Sequence, residues 1–138
     1  MTLISRIDCG THVYIASDNQ VNDSDGLKRQ GQTACKSRIV PGSNIIIGVA
    51  GVIKSDGVVI IDEIIDQLKN AVNITLQVCT QTIDQVLNQV FGVTGGWDCS
   101  FMISLIANGG IENYTYLRSR VLTKLLQPHI VAKQINNI

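Results

Sequence analysis

The chain has 138 residues, the size of one domain that can bury a real core, and its hydrophobic residues make up 45% of the total against only 4% aromatic. Its core must therefore be built from Ile, Val and Leu. Eleven basic residues balance eleven acidic ones, so no global field draws the chain to nucleic acid or to an anionic membrane. The first residues lack the basic flank and apolar run of a signal peptide, and no segment reaches the roughly 18 to 20 apolar residues of a membrane span. These features lead to the expectation of a soluble, cytoplasmic protein with a single domain over residues 1–138.

Leu3 to Ile7 and Val13 to Ser17 are short runs rich in β-branched residues, joined across Asp8-Cys9-Gly10-Thr11, and predict an N-terminal hairpin. Asn19 to Gln32 is polar, with Asn22, Asp23, Ser24, Asp25 and Gly26 in succession, and predicts a surface loop. Arg38 to Val40 and Ile45 to Ala50 flank Pro41-Gly42-Ser43-Asn44, which has proline and glycine in the order a β-turn prefers. The run IIIGVA is apolar throughout, as expected of a strand covered on both faces.

From Asp56 the period changes. Ile60, Ile61, Ile64, Ile65, Leu68 and Val72 repeat at three and four, which predicts an amphipathic helix capped by Ser55 or Asp56. Leu76, Cys79, Ile83, Val86, Leu87 and Val90 form a second helical set ending near Gly92, and the short link between the two suggests an antiparallel pair. Ser100 to Ala107 and Ile111 to Leu117 flank Asn108-Gly109-Gly110, a hairpin signal because Asn-Gly tolerates positive φ. The final stretch has helical spacing broken by Pro128 and yields no assignment. Strands, two helices, then strands again favour an α+β architecture with the helix pair on one face of antiparallel sheet.

Cys9, Cys35, Cys79 and Cys99 are scattered, without metal-ligand spacing, and are expected as buried free thiols. His12 and His129 lack any linked carboxylate or cysteine pattern, so neither a catalytic triad nor a metal or cofactor site is expected. Trp97 reads as a core or interface plug.

The start of the chain has chemical interest. Loss of Met1 from a Met-Thr start would leave Thr2 with a free α-amine, whose ordinary pKa of about 7.7 to 8.0 makes it a usable base near neutrality. Such a base could activate the hydroxyl of the same residue. A site of this kind needs a cation, a carboxylate to hold it and a backbone donor for an oxyanion. Taken singly, Asp18 would cap a turn, Lys36 would be a solvated hairpin charge and Gly51 would end a strand.

Taken together, Thr2 at the head of the first strand, Asp18 in VYIASDNQ, Lys36 in CKSRIV and Gly51 closing IIIGVAG resemble the proteasome β-subunit family of N-terminal-nucleophile hydrolases, most of all its bacterial branch. The resemblance covers residues 2–117. It implies that Thr2 is the nucleophile, that Asp18 pairs with Lys36 beside it, and that the Gly51 N–H serves the oxyanion hole. It further implies a sandwich of antiparallel sheets, a ring-shaped homo-oligomer, unfolded polypeptide as substrate and an ATP-dependent unfoldase as partner. Family members continue with further strands and helices that this chain lacks after residue 117, so the fold is expected to be truncated at its C-terminus. The alternative expectation is an inactive or degenerate structural subunit that keeps the fold and its oligomer surface.

Overall fold

A computed structural model of the chain describes residues 4–18, 20–22, 28–33, 35–51, 54–55, 57–92, 99–107, 110–118 and 129–137. In chain order these form β1 (Ile4–Asp8), β2 (Val13–Ser17), β3 (Gln20–Asn22), β4 (Lys28–Thr33), β5 (Ser37–Ile39), β6 (Ile45–Gly51), β7 (Lys54–Ser55) and β8 (Val58–Val59). Helices α1 (Ile60–Leu68) and α2 (Leu76–Phe91) follow, then β9 (Cys99–Ala107), β10 (Gly110–Arg118) and β11 (His129–Asn137). The architecture is α+β, with antiparallel sheets and two helices. Among the described residues, no helix is long and apolar enough to cross a membrane.

The main sheet has the order β11-β10-β9-β6-β5, and every neighbouring pair in it is antiparallel. Alternation along each strand divides its side chains between two faces. Ile45, Ile47 and Val49 of β6, Phe101 and Ile103 of β9, and Tyr114 and Tyr116 of β10 join Ile60, Ile61, Ile64 and Leu68 of α1 and Ile83, Val86 and Leu87 of α2 in one buried cluster. The aliphatic core expected from composition lies between this face and the helices. Tyr116 ties the two layers together, its hydroxyl donating to Asp84 Oδ1 of α2 at 2.7 Å.

The opposite face carries the β1–β2 hairpin, which pairs from Ile4↔Ser17 to Asp8↔Val13. Gly48, in the middle of β6, makes this third layer possible. A Cβ at that position would collide with Ile4 Cδ1 and stand 3.1 Å from Ile15 Cγ2. The run IIIGVA is thus covered on both faces, by helices and by the hairpin, as its unbroken apolar character predicts.

The turns follow their sequences. Gly42 takes φ +73° between β5 and β6, and Val40 N–H donates to Ile45 O at 2.9 Å across the same turn. Thr75 caps α2, its hydroxyl accepting from Val78 N–H, and Gly92 ends that helix with φ +78°.

Several expectations are corrected. The predicted surface loop over 19–32 contains β3 and β4, paired antiparallel. A polar hairpin satisfies its backbone through the ladder without needing apolar core positions, so hydrophobic periodicity gave no sign of it. Ser55 lies in β7, which pairs with β8, and does not cap α1; Asp56 is outside the described residues. The helix begins later, after Val59, with no side-chain cap, and Asp62 and Glu63 in its first turn complement the helix dipole. It also ends at Leu68, which leaves Val72 96% exposed in the link to α2. Gln67 near the end of α1 donates to Gln89 near the end of α2 at 3.1 Å. A simple antiparallel pair would instead bring the end of α1 to the start of α2. The stretch left unassigned contains β11, which adds to the edge of the main sheet beside β10. Cys79 and Cys99 are buried as expected, whereas Cys9 and Cys35 are exposed; none of the four forms a disulfide.

Filling the space at Gly48 tests the layer order. Gly48→Ala can be met by rotation of the flexible end of Ile4, but Gly48→Val also presses on the branched Ile15. We expect the valine variant to lose about 1–3 kcal/mol in denaturant unfolding, and the alanine variant clearly less.

Candidate functional site

Three of the four residues singled out in the sequence fall within the described structure. Asp18 follows directly on β2, and Lys36 comes directly before β5. The Lys36 carbonyl accepts from Val49 N–H at 2.8 Å, which fixes the lysine backbone to β6 two residues before Gly51. Its ammonium donates to Asp18 Oδ1 in a salt bridge between the hairpin layer and the main sheet. The Lys36 side chain is wholly buried, while that of Asp18 is one-third exposed (33%).

This burial overturns the reading of Lys36 as a solvated hairpin charge. A buried ammonium without a counter-charge is costly enough that it would ordinarily give up its proton. Asp18 supplies that counter-charge and keeps one edge toward solvent.

Gly51 closes β6, in register with Cys99, with φ +111°. This is a backbone conformation that only glycine adopts without strain. It is exposed, whereas Ile47, Gly48 and Val49 earlier in the strand are buried and Ala50 is half-buried. Thr2 lies outside the described residues, as does Trp97. The structure therefore joins Asp18 to Lys36 and puts Gly51 on the strand that anchors the lysine.

A second polar cluster escaped the sequence reading. Asn113 of β10 is fully buried: its Oδ1 accepts from Ser104 Oγ of β9 at 2.7 Å, and its Nδ2 donates to Asp8 Oδ2 of β1 at 2.6 Å. The other Asp8 oxygen accepts from Gly10 N–H at 2.8 Å. Arg6 donates to the Tyr114 carbonyl at 3.1 Å. Neither residue stands out in the sequence, since the same strands also carry Ser100, Glu112 and Thr115; it is the register Asn113↔Ser104 that sets the two side by side on one face.

Three groups have perturbed titration with clear causes. Burial, and then the hydrogen bond to Glu112, push the Tyr114 hydroxyl up to about 12, and burial alone raises the Cys79 thiol to about 11. Burial also lowers Arg6, partly opposed by Asp8.

At the closed end of the hairpin, away from Asp18, a cleft of about 340 Å³ is lined by His12, Val13, Ile39, Ser43, Ser104 and Ile106 among others, and contains none of the predicted site residues. His12 engages Thr11 through Nδ1 and meets Tyr14 edge-on. Among the described residues no group of three or more His, Cys, Asp or Glu is arranged to hold a metal. Comparison with protein-family models, curated proteins and solved structures gives no match.

The unequal burial of the two charges makes the cost of breaking the pair asymmetric. Asp18→Leu strands a wholly buried ammonium and should cost about 3 kcal/mol, the low end for a buried pair because Asp18 is partly exposed. Lys36→Met leaves a carboxylate that water can reach and should cost less. The double variant Asp18→Leu/Lys36→Met should recover most of the loss in a denaturant-unfolding cycle.

Proposed function

We propose that the chain is a peptidase subunit of the N-terminal-nucleophile type, with Thr2 as its nucleophile once Met1 has been removed. The observation that carries this reading is the buried Lys36 ammonium held by Asp18 against the first hairpin. Thr2 stands two residues before Ile4, and Ile4 is in register with Ser17, the neighbour of Asp18. In this reading the fold is the N-terminal-nucleophile sandwich in part, with the β1–β2 hairpin contributing to its second sheet.

The reaction needs no group beyond the chain and water. The Thr2 α-amine takes the hydroxyl proton as Oγ forms a bond to the peptide carbonyl carbon, and the developing oxyanion is met by the Gly51 N–H. Collapse of the tetrahedral intermediate breaks the C–N bond, with the same amine returning its proton to the leaving nitrogen. Water, deprotonated by the α-amine, then attacks the acyl ester; collapse of this second intermediate breaks the bond from the acyl carbon to Thr2 Oγ, the amine returns the proton to Oγ, and the peptide leaves as a carboxylic acid. Lys36 supplies a fixed positive charge that disfavours protonation of a nearby amine and so keeps it a base. Asp18 holds that charge in place.

The reading extends to a cytoplasmic ring of identical subunits that degrades unfolded polypeptide delivered by an ATP-dependent unfoldase. These steps rest on the family resemblance.

Intact-mass measurement together with hydrolysis of a fluorogenic peptide amide tests the proposal. It expects Met1 to be absent, turnover to be measurable, and both Thr2→Ala and Lys36→Ala to abolish it. Retention of Met1, or equal turnover in the variants, would overturn the assignment. Correct processing without turnover would favour a structural subunit instead.

A further inference from the structure

The hairpin that carries Asp18 is only two strands wide, and a two-stranded unit is marginal on its own. Its apolar contact with the sheet centres on Ile4 and Ile15 over Gly48. Near its turn, the fully buried Asn113 uses both ends of its amide, accepting from Ser104 and donating to Asp8. Asp8 in turn shapes the hairpin's own turn through Gly10 N–H, which lies beside the Cys9 N–H to His12 O bond of 2.9 Å. One buried amide thus links β9, β10 and the closed end of the hairpin. Asp18 and Lys36 link the open end.

We propose that Asn113 is a positioning residue, which sets the hairpin's seat on the sheet so that Asp18 remains against Lys36. Its consequence for catalysis rests on the peptidase reading; its effect on the ion pair does not. Without the Asn113 contact the hairpin keeps its own ladder, the Arg6 bond to the Tyr114 carbonyl and the ion pair at its open end, but it is held less firmly at its closed end and can shift on the sheet more easily. Movement of that kind draws Asp18 away and opens Lys36 to solvent. The helix-side core, on the other face of the sheet, is left closed. This distinguishes positioning from a general loss of stability.

The test is amine acetylation of Lys36 and thiol alkylation of Cys79, each followed by peptide mapping on the full chain. Asn113→Ala should speed Lys36 acetylation about tenfold or more, the change expected when a buried hydrogen bond to a charged group is lost and local opening becomes easier. Cys79 alkylation should stay at the wild-type rate. Equal acceleration of both, or none at Lys36, would overturn the proposal. Should Asn113→Ala fail to fold, Ser104→Ala and Ser104→Thr decide: the alanine should raise Lys36 acetylation selectively and the threonine, which keeps the hydroxyl, should restore protection. Identical behaviour of the two would count against the role. Peptide turnover is read separately, so a wild-type chain without activity refutes the peptidase reading and leaves this comparison intact.

Discussion

A lysine ammonium with no exposure to water constrains everything around it, because the folded chain must supply what water no longer does. Lys36 obtains this from Asp18, which belongs to a different layer. The backbone of Lys36 is fixed to β6 through Val49 N–H, so the charge can reach only as far as its own side chain extends from that strand. The hairpin must come to it. This requires a close approach between layers, which the missing side chain of Gly48 permits by admitting Ile4 and Ile15 to the surface of β6.

The two faces of the main sheet are held by different means. Toward the helices, an aliphatic cluster of Ile, Val and Leu with Phe101, Tyr114 and Tyr116 gives broad, non-directional burial. Toward the hairpin the apolar contact is narrower, and polar ties at both ends add direction: Asp18 to Lys36, Asp8 to Asn113, and Arg6 to the Tyr114 carbonyl. Directional contacts tolerate little displacement. Such a layer suits the placement of a chemical group better than the bulk of the core does.

What could be read from the sequence divides along the same line. The features legible in advance were those with a periodic or steric signature: IIIGVA as a doubly covered strand, the isoleucine stripe of α1, the α2 set from Leu76 ending near Gly92 and the Pro41-Gly42 turn. Asp18 and Lys36 could be paired only by resemblance, since neither spacing nor composition brings residues 18 apart together. The β3–β4 hairpin was hidden because its pairing is made by backbone groups and needs no apolar pattern. Residues after Pro128 were hidden for the converse reason, as their helical spacing conflicts with the edge strand they form beside β10. Asn113 and Ser104 each look ordinary alone; only the register, which sets them side by side, reveals a buried network.

Amide hydrogen exchange in the wild type and in Asp18→Asn tests most directly whether the Lys36 charge governs the seating of the hairpin. The account predicts that the substitution speeds exchange in β1 and β2 well beyond any change in β9 and β10, whose pairing does not depend on the ion pair. Unaltered protection of β1 and β2, or an equal rise across all four strands, would contradict it.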